Sequence, residues 1–133
     1  MIMKAAVILF VTCLWSLGRC QVPMGELPTK VTAFVRHAAT FAANELNTRS
    51  NGIYWNTLTH IQNATIEAVM GIMYRMEITL QESTCKNIPA NNDANPTACP
   101  PKAGAMTMSC HVEVLDDPGS TPRYTLKNNH CVA

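Results

Sequence analysis

The stretch TIEAVMGIMYRMEITL, residues 65–80, carries EAVMG at residues 67–71, and almost everything around that pentapeptide favours a strand. Glycine weakens a strand interior, because it has no side chain to pack and loses the most backbone freedom on folding. Gly71 therefore marks either a bulge or the turn of a hairpin. Beyond it the alternation is regular: Ile72, Tyr74, Met76, Ile78 and Leu80 point one way, and Met73, Arg75, Glu77, Thr79 and Gln81 the other, giving one buried and one wet face. Upstream, residues 53–66 are rich in β-formers and free of proline. Two strands flanking a Val-Met-Gly tip, with no polar linker, read most simply as an antiparallel hairpin whose turn uses the glycine's access to positive φ.

Working outward, the apolar residues Val31, Phe34, Val35, Ala38, Phe41, Ala42 and Leu46 recur at helical spacing, with a start expected near Pro28 and Thr29 and a stop in NTRSNG. Residues 86–105 have no periodicity and are rich in Pro, Asn and Ala, an irregular excursion held by Cys99. Alternation resumes at Met106, Met108, Cys110, Val112 and Val114, breaks at DDPGSTP, and returns at Tyr124 and Leu126, a second hairpin. Most of the eight methionines lie on or beside these strands, where adaptable packing under the helix is their expected role. Met70 is the exception, since a turn tip has little core to reach and an exposed apolar tip points to a binding surface. The class is α+β: one long helix and two antiparallel hairpins.

The chain opens MIMKAAVILFVTCLWSLGRCQ, with one early lysine, a short apolar run and small residues before Gln21, the layout of a secretory signal peptide over residues 1–20. Cleavage after Gly18 or Cys20 fits the small-x-small rule. The later cut leaves Cys85, Cys99, Cys110 and Cys131, an even set suited to two disulfides in an oxidising compartment. Residues 21–133 then form one secreted, extracellular domain. Of the three pairings four cysteines allow, Cys85 with Cys99 and Cys110 with Cys131 would staple the excursion to its strand and tie the last hairpin together, each adding on the order of 3 kcal/mol. The other two are less local. Asn63-Ala64-Thr65 is a sequon, so Asn63 is a candidate N-glycosylation site.

A net charge of +1 with no basic run gives no electrostatic case for nucleic acid or an anionic membrane. Nothing indicates an enzyme. His37, His60, His111 and His130 lack metal-pair spacing, and adjacency puts Cys110 and His111 on opposite faces of a strand. The mature cysteines are better explained as disulfides than as nucleophiles, and no phosphate loop or carboxylate pair is present. No catalytic residue, metal or cofactor is expected.

The segment from Val35 to Cys85, VRHAATFAANELNTRSNGIYWNTLTHIQNATIEAVMGIMYRMEITLQESTC, resembles type 2 cystatins, secreted inhibitors of papain-like cysteine proteases, and aligns with the family pattern from Val35 to Leu80 without a gap. The cysteine order, signal peptide and size also match, and ESTC followed by CPPK is similar to the salivary cystatins of ticks. The resemblance implies a monomer whose one long helix is wrapped by a four- to five-stranded antiparallel sheet and whose protease-binding wedge has three segments. The first is an N-terminal arm ending at Gly25, with Val22, Pro23 and Met24 along the non-primed subsites. The second is the hairpin of Glu67, Ala68, Val69, Met70 and Gly71, where Glu67 replaces the family's glutamine and adds a charge at the cleft edge. The third is the loop at Pro118 and Gly119, with Gly119 where the family has tryptophan. Cathepsins L, S, B or C are the implied targets. Ser50, Asn51 and Gly52 align with the loop some type 2 cystatins use against legumain. The two departures leave a second expectation, a cystatin-fold binding or immune-modulating protein with weak or lost inhibition.

Overall fold

The computed structural model describes residues 25–92 and 94–133. The expected signal peptide, Gln21 and the arm residues Val22, Pro23 and Met24 lie outside the described residues. The elements in chain order are β1 (Leu27–Pro28), α1 (Ala33–Arg49), β2 (Tyr54–Val69), β3 (Gly71–Lys86), a 3₁₀ turn (Pro89–Asn91), β4 (Thr107–Asp116) and β5 (Tyr124–Val132). The strands form one antiparallel sheet in the order β1-β2-β3-β4-β5, with α1 packed on one face.

The helix starts later than its sequence suggests. Thr32 is the N-cap, its hydroxyl accepting from the Val35 N–H at 3.3 Å, while Leu27 and Pro28 pair with Ile66 and Thr65 as a fifth strand. A proline is tolerated there because the strand is an edge. The buried helix face matches expectation in part: Val35, Ala38 and Ala42 are buried and Phe41 and Leu46 pack against the core, joined by Ala39, Ala43 and Asn47, whereas Phe34 is 62% exposed and Val31 lies at the surface. Four alanines let the backbone of α1 approach closely, and the volume comes from the strands: Met76, Ile78, Leu80, Val112 and Val114, with Trp55 fully buried on β2.

Asn47, buried at the end of the helix, is fully used. Its Nδ2 donates to the carbonyls of Ala43 at 3.0 Å and Asn56 at 2.9 Å, and its Oδ1 accepts from the Asn56 N–H at 2.9 Å, fixing the helix terminus to β2. β2 curves over the helix through irregularities between Tyr54 and Asn56, Leu58 and His60, and Gln62 and Thr65. Asn63 occupies the last of these at φ +54.

Both expected disulfides are present, Cys85–Cys99 and Cys110–Cys131. The excursion is held further by the Thr57 hydroxyl, which donates to the Cys99 carbonyl at 2.6 Å, and by a bridge between Ser83 and Pro101. One expectation fails for the methionines. Met76 is core and Met108 half-buried, but Met73 sits on the outer face and Met106 is 77% exposed where the excursion meets β4.

Candidate functional site

The register brings three separate stretches of chain to one end of the sheet. β2 runs up to Val69 and β3 begins at Gly71, paired with Val69, so Met70 alone caps the hairpin. β4 ends at Asp116, which pairs with Ile72 on one side and with Tyr124 on the other. The loop of residues 117–123, carrying Pro118 and Gly119, therefore lies beside the tip. Because β1 is antiparallel to β2, the chain traced back from Leu27 through Glu26 to Gly25 heads for the same end.

Gly71 is a hairpin glycine, not a bulge, and is required twice over. Its φ is +117, a region L side chains rarely adopt, and a Cβ there would stand 2.6 Å from the Asp116 carbonyl oxygen. The tip thus packs backbone against backbone on the start of the second loop. Gly25 differs: a Cβ there meets nothing within 4 Å. The rim is apolar and open, with Met70 91%, Val69 46% and Ile72 40% exposed, and with Ala68, Pro118 and Gly119 also at the surface.

The second loop is internally braced. The Asp117 N–H donates to the Arg123 carbonyl at 2.8 Å, the Ser120 N–H to the Asp117 carbonyl at 3.0 Å, and the Gly119 N–H to Asp117 Oδ1 at 3.2 Å. The Thr121–Pro122 peptide is cis. At its base Arg123 grips the buried Asp116 with both arms, Nε to Oδ1 at 2.6 Å and Nη2 to Oδ2 at 3.1 Å. Burial pushes the neighbouring Tyr74 phenol up, and the Asp116 carboxylate adds to the shift.

Glu67 does not stand as a loose carboxylate at the rim. On the outer face of the sheet, Arg75 Nη1 donates to Glu67 Oε1 at 2.7 Å and lies 3.1 Å from Glu26 Oε1, while Arg75 Nε donates to Glu113 Oε1 at 2.6 Å. Hydrogen bonds to Glu67 and Glu113 raise the Arg75 pKa further, and the guanidinium holds the Glu113 carboxyl below the usual carboxylate range. This cluster was missed in the sequence. The alternation puts Arg75 on the wet face, but only the register opposes it to Thr65 and Glu113 and brings Glu67 within reach.

Ser50, Asn51 and Gly52 form an exposed loop at the opposite end of β2, whose 16 residues follow a path of roughly 50 Å. The Gly52 N–H donates to Ser50 Oγ at 2.9 Å, and Asn87 Nδ2 donates to the carbonyls of Asn47 at 2.8 Å and Gly52 at 3.4 Å. Asn63 is exposed between the two ends, its Nδ2 donating to Glu77 Oε2 at 3.0 Å. Its partner in the sequon, Thr65, is half-buried and donates to Glu26 Oε2 at 3.2 Å. All four histidines are exposed. Among the described residues no group of three His, Cys, Asp or Glu side chains is placed to hold a metal ion, and no cysteine is free.

A helix thus lies on a five-stranded antiparallel meander, closed by two disulfides and leaving an apolar rim exposed at one end. The family model described as Cystatin domain matches residues 25–119. The chain belongs to the cystatin family, whose members are inhibitors of cysteine proteases and not enzymes. Among its relatives, Cystatin-1 of Crotalus adamanteus is 31% identical over 74% of this chain and 74% of its own length. Cystatin-C of Bos taurus is 34% identical over 47% of this chain, a match that spans 42% of the bovine protein. The fold is similar to that of dimeric human cystatin F, with a TM-score of 0.71 at 21% identity over 86% of this chain and 91% of that one. It is also similar to the salivary cystatin of the soft tick Ornithodoros moubata, with a TM-score of 0.67 at 18% identity over 84% of this chain and 100% of that one.

Proposed function

We infer that this chain is a secreted, monomeric, reversible and tight-binding inhibitor of papain-like cysteine proteases, with cathepsins L, S, B and C as the targets to examine. The observation that carries the reading is the apolar rim, in which an almost fully exposed Met70 caps a hairpin held by the contact of Gly71 with Asp116. Inhibition requires no chemistry from such a rim. A hairpin already set by its partner loop orders little on docking, so apolar contact along the cleft is not offset by a large entropy cost, and the protease thiol is covered without a bond being made. Gly25 fits a role in close backbone approach to an enzyme, because among the described residues a Cβ there meets nothing within 4 Å. The signal-like residues 1–20 and the two disulfides support secretion. Among the described residues no helix is long and apolar enough to cross a membrane.

Inhibition constants against papain and cathepsins B, C, L and S test the reading. Nanomolar or tighter reversible inhibition of at least one is expected, and micromolar protein that leaves papain and cathepsin L untouched overturns it. One observation favours a second reading: Gly119 offers no large anchor in the second loop, and a lost tryptophan costs about 2 kcal/mol or more, roughly thirtyfold in affinity. A cystatin-fold binding or immune-modulating protein with little inhibition would combine normal folding with inactivity across the panel.

Legumain inhibition through Asn51 is a separate surface of the same proposal, supported by the exposure of residues 50–52 far from the rim. Asn51→Lys is expected to abolish it and leave cathepsin inhibition intact. Mass spectrometry of the secreted protein reads the N-terminus and the state of Asn63 together.

A further inference from the structure

Arg75 lies four residues from Gly71 along β3, about 13 Å below the tip, and touches a residue belonging to the base of each rim segment. Glu26 is adjacent to Gly25 on the N-terminal segment, Glu67 opens the hairpin, and Glu113 is on the strand that leads to Pro118. The connection to the N-terminal segment matters most, because little else holds it. β1 is two residues long and includes a proline, which cannot donate to the sheet, and beyond it the Thr29 N–H donates to the Ala64 carbonyl at 2.9 Å. Glu26 also accepts from the Thr65 hydroxyl, so its carboxylate is gripped from both β2 and β3. Three carboxylates around one guanidinium leave an excess of negative charge, which makes the arginine indispensable to the grouping.

We propose that Arg75 is a positioning residue that latches the N-terminal segment to the sheet through Glu26, so that Gly25 is presented at a fixed offset from the tip. Glu67, standing where the family has glutamine, helps to fix the guanidinium in place. The part of this proposal that concerns protease affinity rests on the inhibitory reading; the latch itself does not.

The test is Glu26→Gln in the full mature chain, with two readouts. The first, amide hydrogen exchange at Thr29 in the free protein, needs no protease. Exchange is expected to quicken about two- to fivefold in the variant, the size for a partly exposed ion pair, and 1 M NaCl is expected to quicken it in the parent but not in the variant. The second is dissociation from papain, expected to be about two- to fivefold faster with association unchanged. Arg75→Lys, which keeps the charge and loses the fork, is expected to fall between parent and Glu26→Gln in both. Unchanged exchange at Thr29 overturns the latch, whatever dissociation does, since an effect on dissociation alone means that Glu26 meets the enzyme directly. Faster exchange with unchanged dissociation overturns the positioning of Gly25. Faster exchange in a chain that never inhibited papain supports the latch and removes the inhibitory reading instead.

Discussion

Replacing Gly71 by alanine tests the central contact of the rim. The backbone at φ +117 costs an L residue about 1–3 kcal/mol, and the added Cβ begins 2.6 Å from the Asp116 carbonyl oxygen, well inside van der Waals contact. Neither the β3 start nor the β4 end moves freely, because Ile72 and Asp116 are paired with each other and Asp116 is also paired with Tyr124 and gripped by Arg123. The two costs together come to about 2–4 kcal/mol, a large fraction of the 5–15 kcal/mol typical of a domain this size. Urea unfolding should show it as a midpoint lower by about 1–2 M at unchanged slope. Inhibition should weaken further than stability, because relief of the overlap separates the tip from the Pro118 loop. Gly25→Ala is the matched control, with no change in unfolding because a Cβ there meets nothing. A Gly71→Ala protein within about 0.5 kcal/mol of the parent refutes the reasoning.

Other outcomes follow from the same geometry. Arg123→Gln strands the buried Asp116 carboxylate and should lower the urea midpoint, with Asp116→Asn in the same chain recovering part of the loss. Glu113 has its pKa lowered in the folded state, so its contribution to stability is present above the ordinary glutamate range and is lost as pH falls through the folded value; the stability difference between parent and Glu113→Gln should be larger at pH 7 than at pH 3. Met70→Asp should leave unfolding within about 0.5 kcal/mol of the parent, since the side chain is 91% exposed, while weakening cathepsin inhibition by tenfold or more.

Much of this was legible in the chain because its signals are local. The hairpin could be read from one glycine between a β-rich run and a run of period two, and the most local of the three possible disulfide pairings is the one present. The helix and most of its face were found, but Phe34 was placed inside because it outweighs any alanine on a hydrophobicity scale, whereas close packing against the sheet selects the small Ala39 and Ala43. β1 escaped because two residues with a proline carry no period at all. The Arg75 cluster escaped for another reason: Glu26, Glu67, Arg75 and Glu113 are far apart in sequence, and their meeting depends on the register of three strand pairs.

The strand order has a consequence for how the molecule assembles. β2 to β5 neighbour one another in sequence as well as in space, so each pairing closes through its own turn or excursion. β1 differs in extent, since the whole of α1 intervenes before its partner strand is reached and only Leu27 and Pro28 pair with it. The N-terminal edge is therefore the strand expected to open first, and amide exchange at Thr29 faster than across the β3–β4 pairing would show it opening while the rest of the meander stays closed.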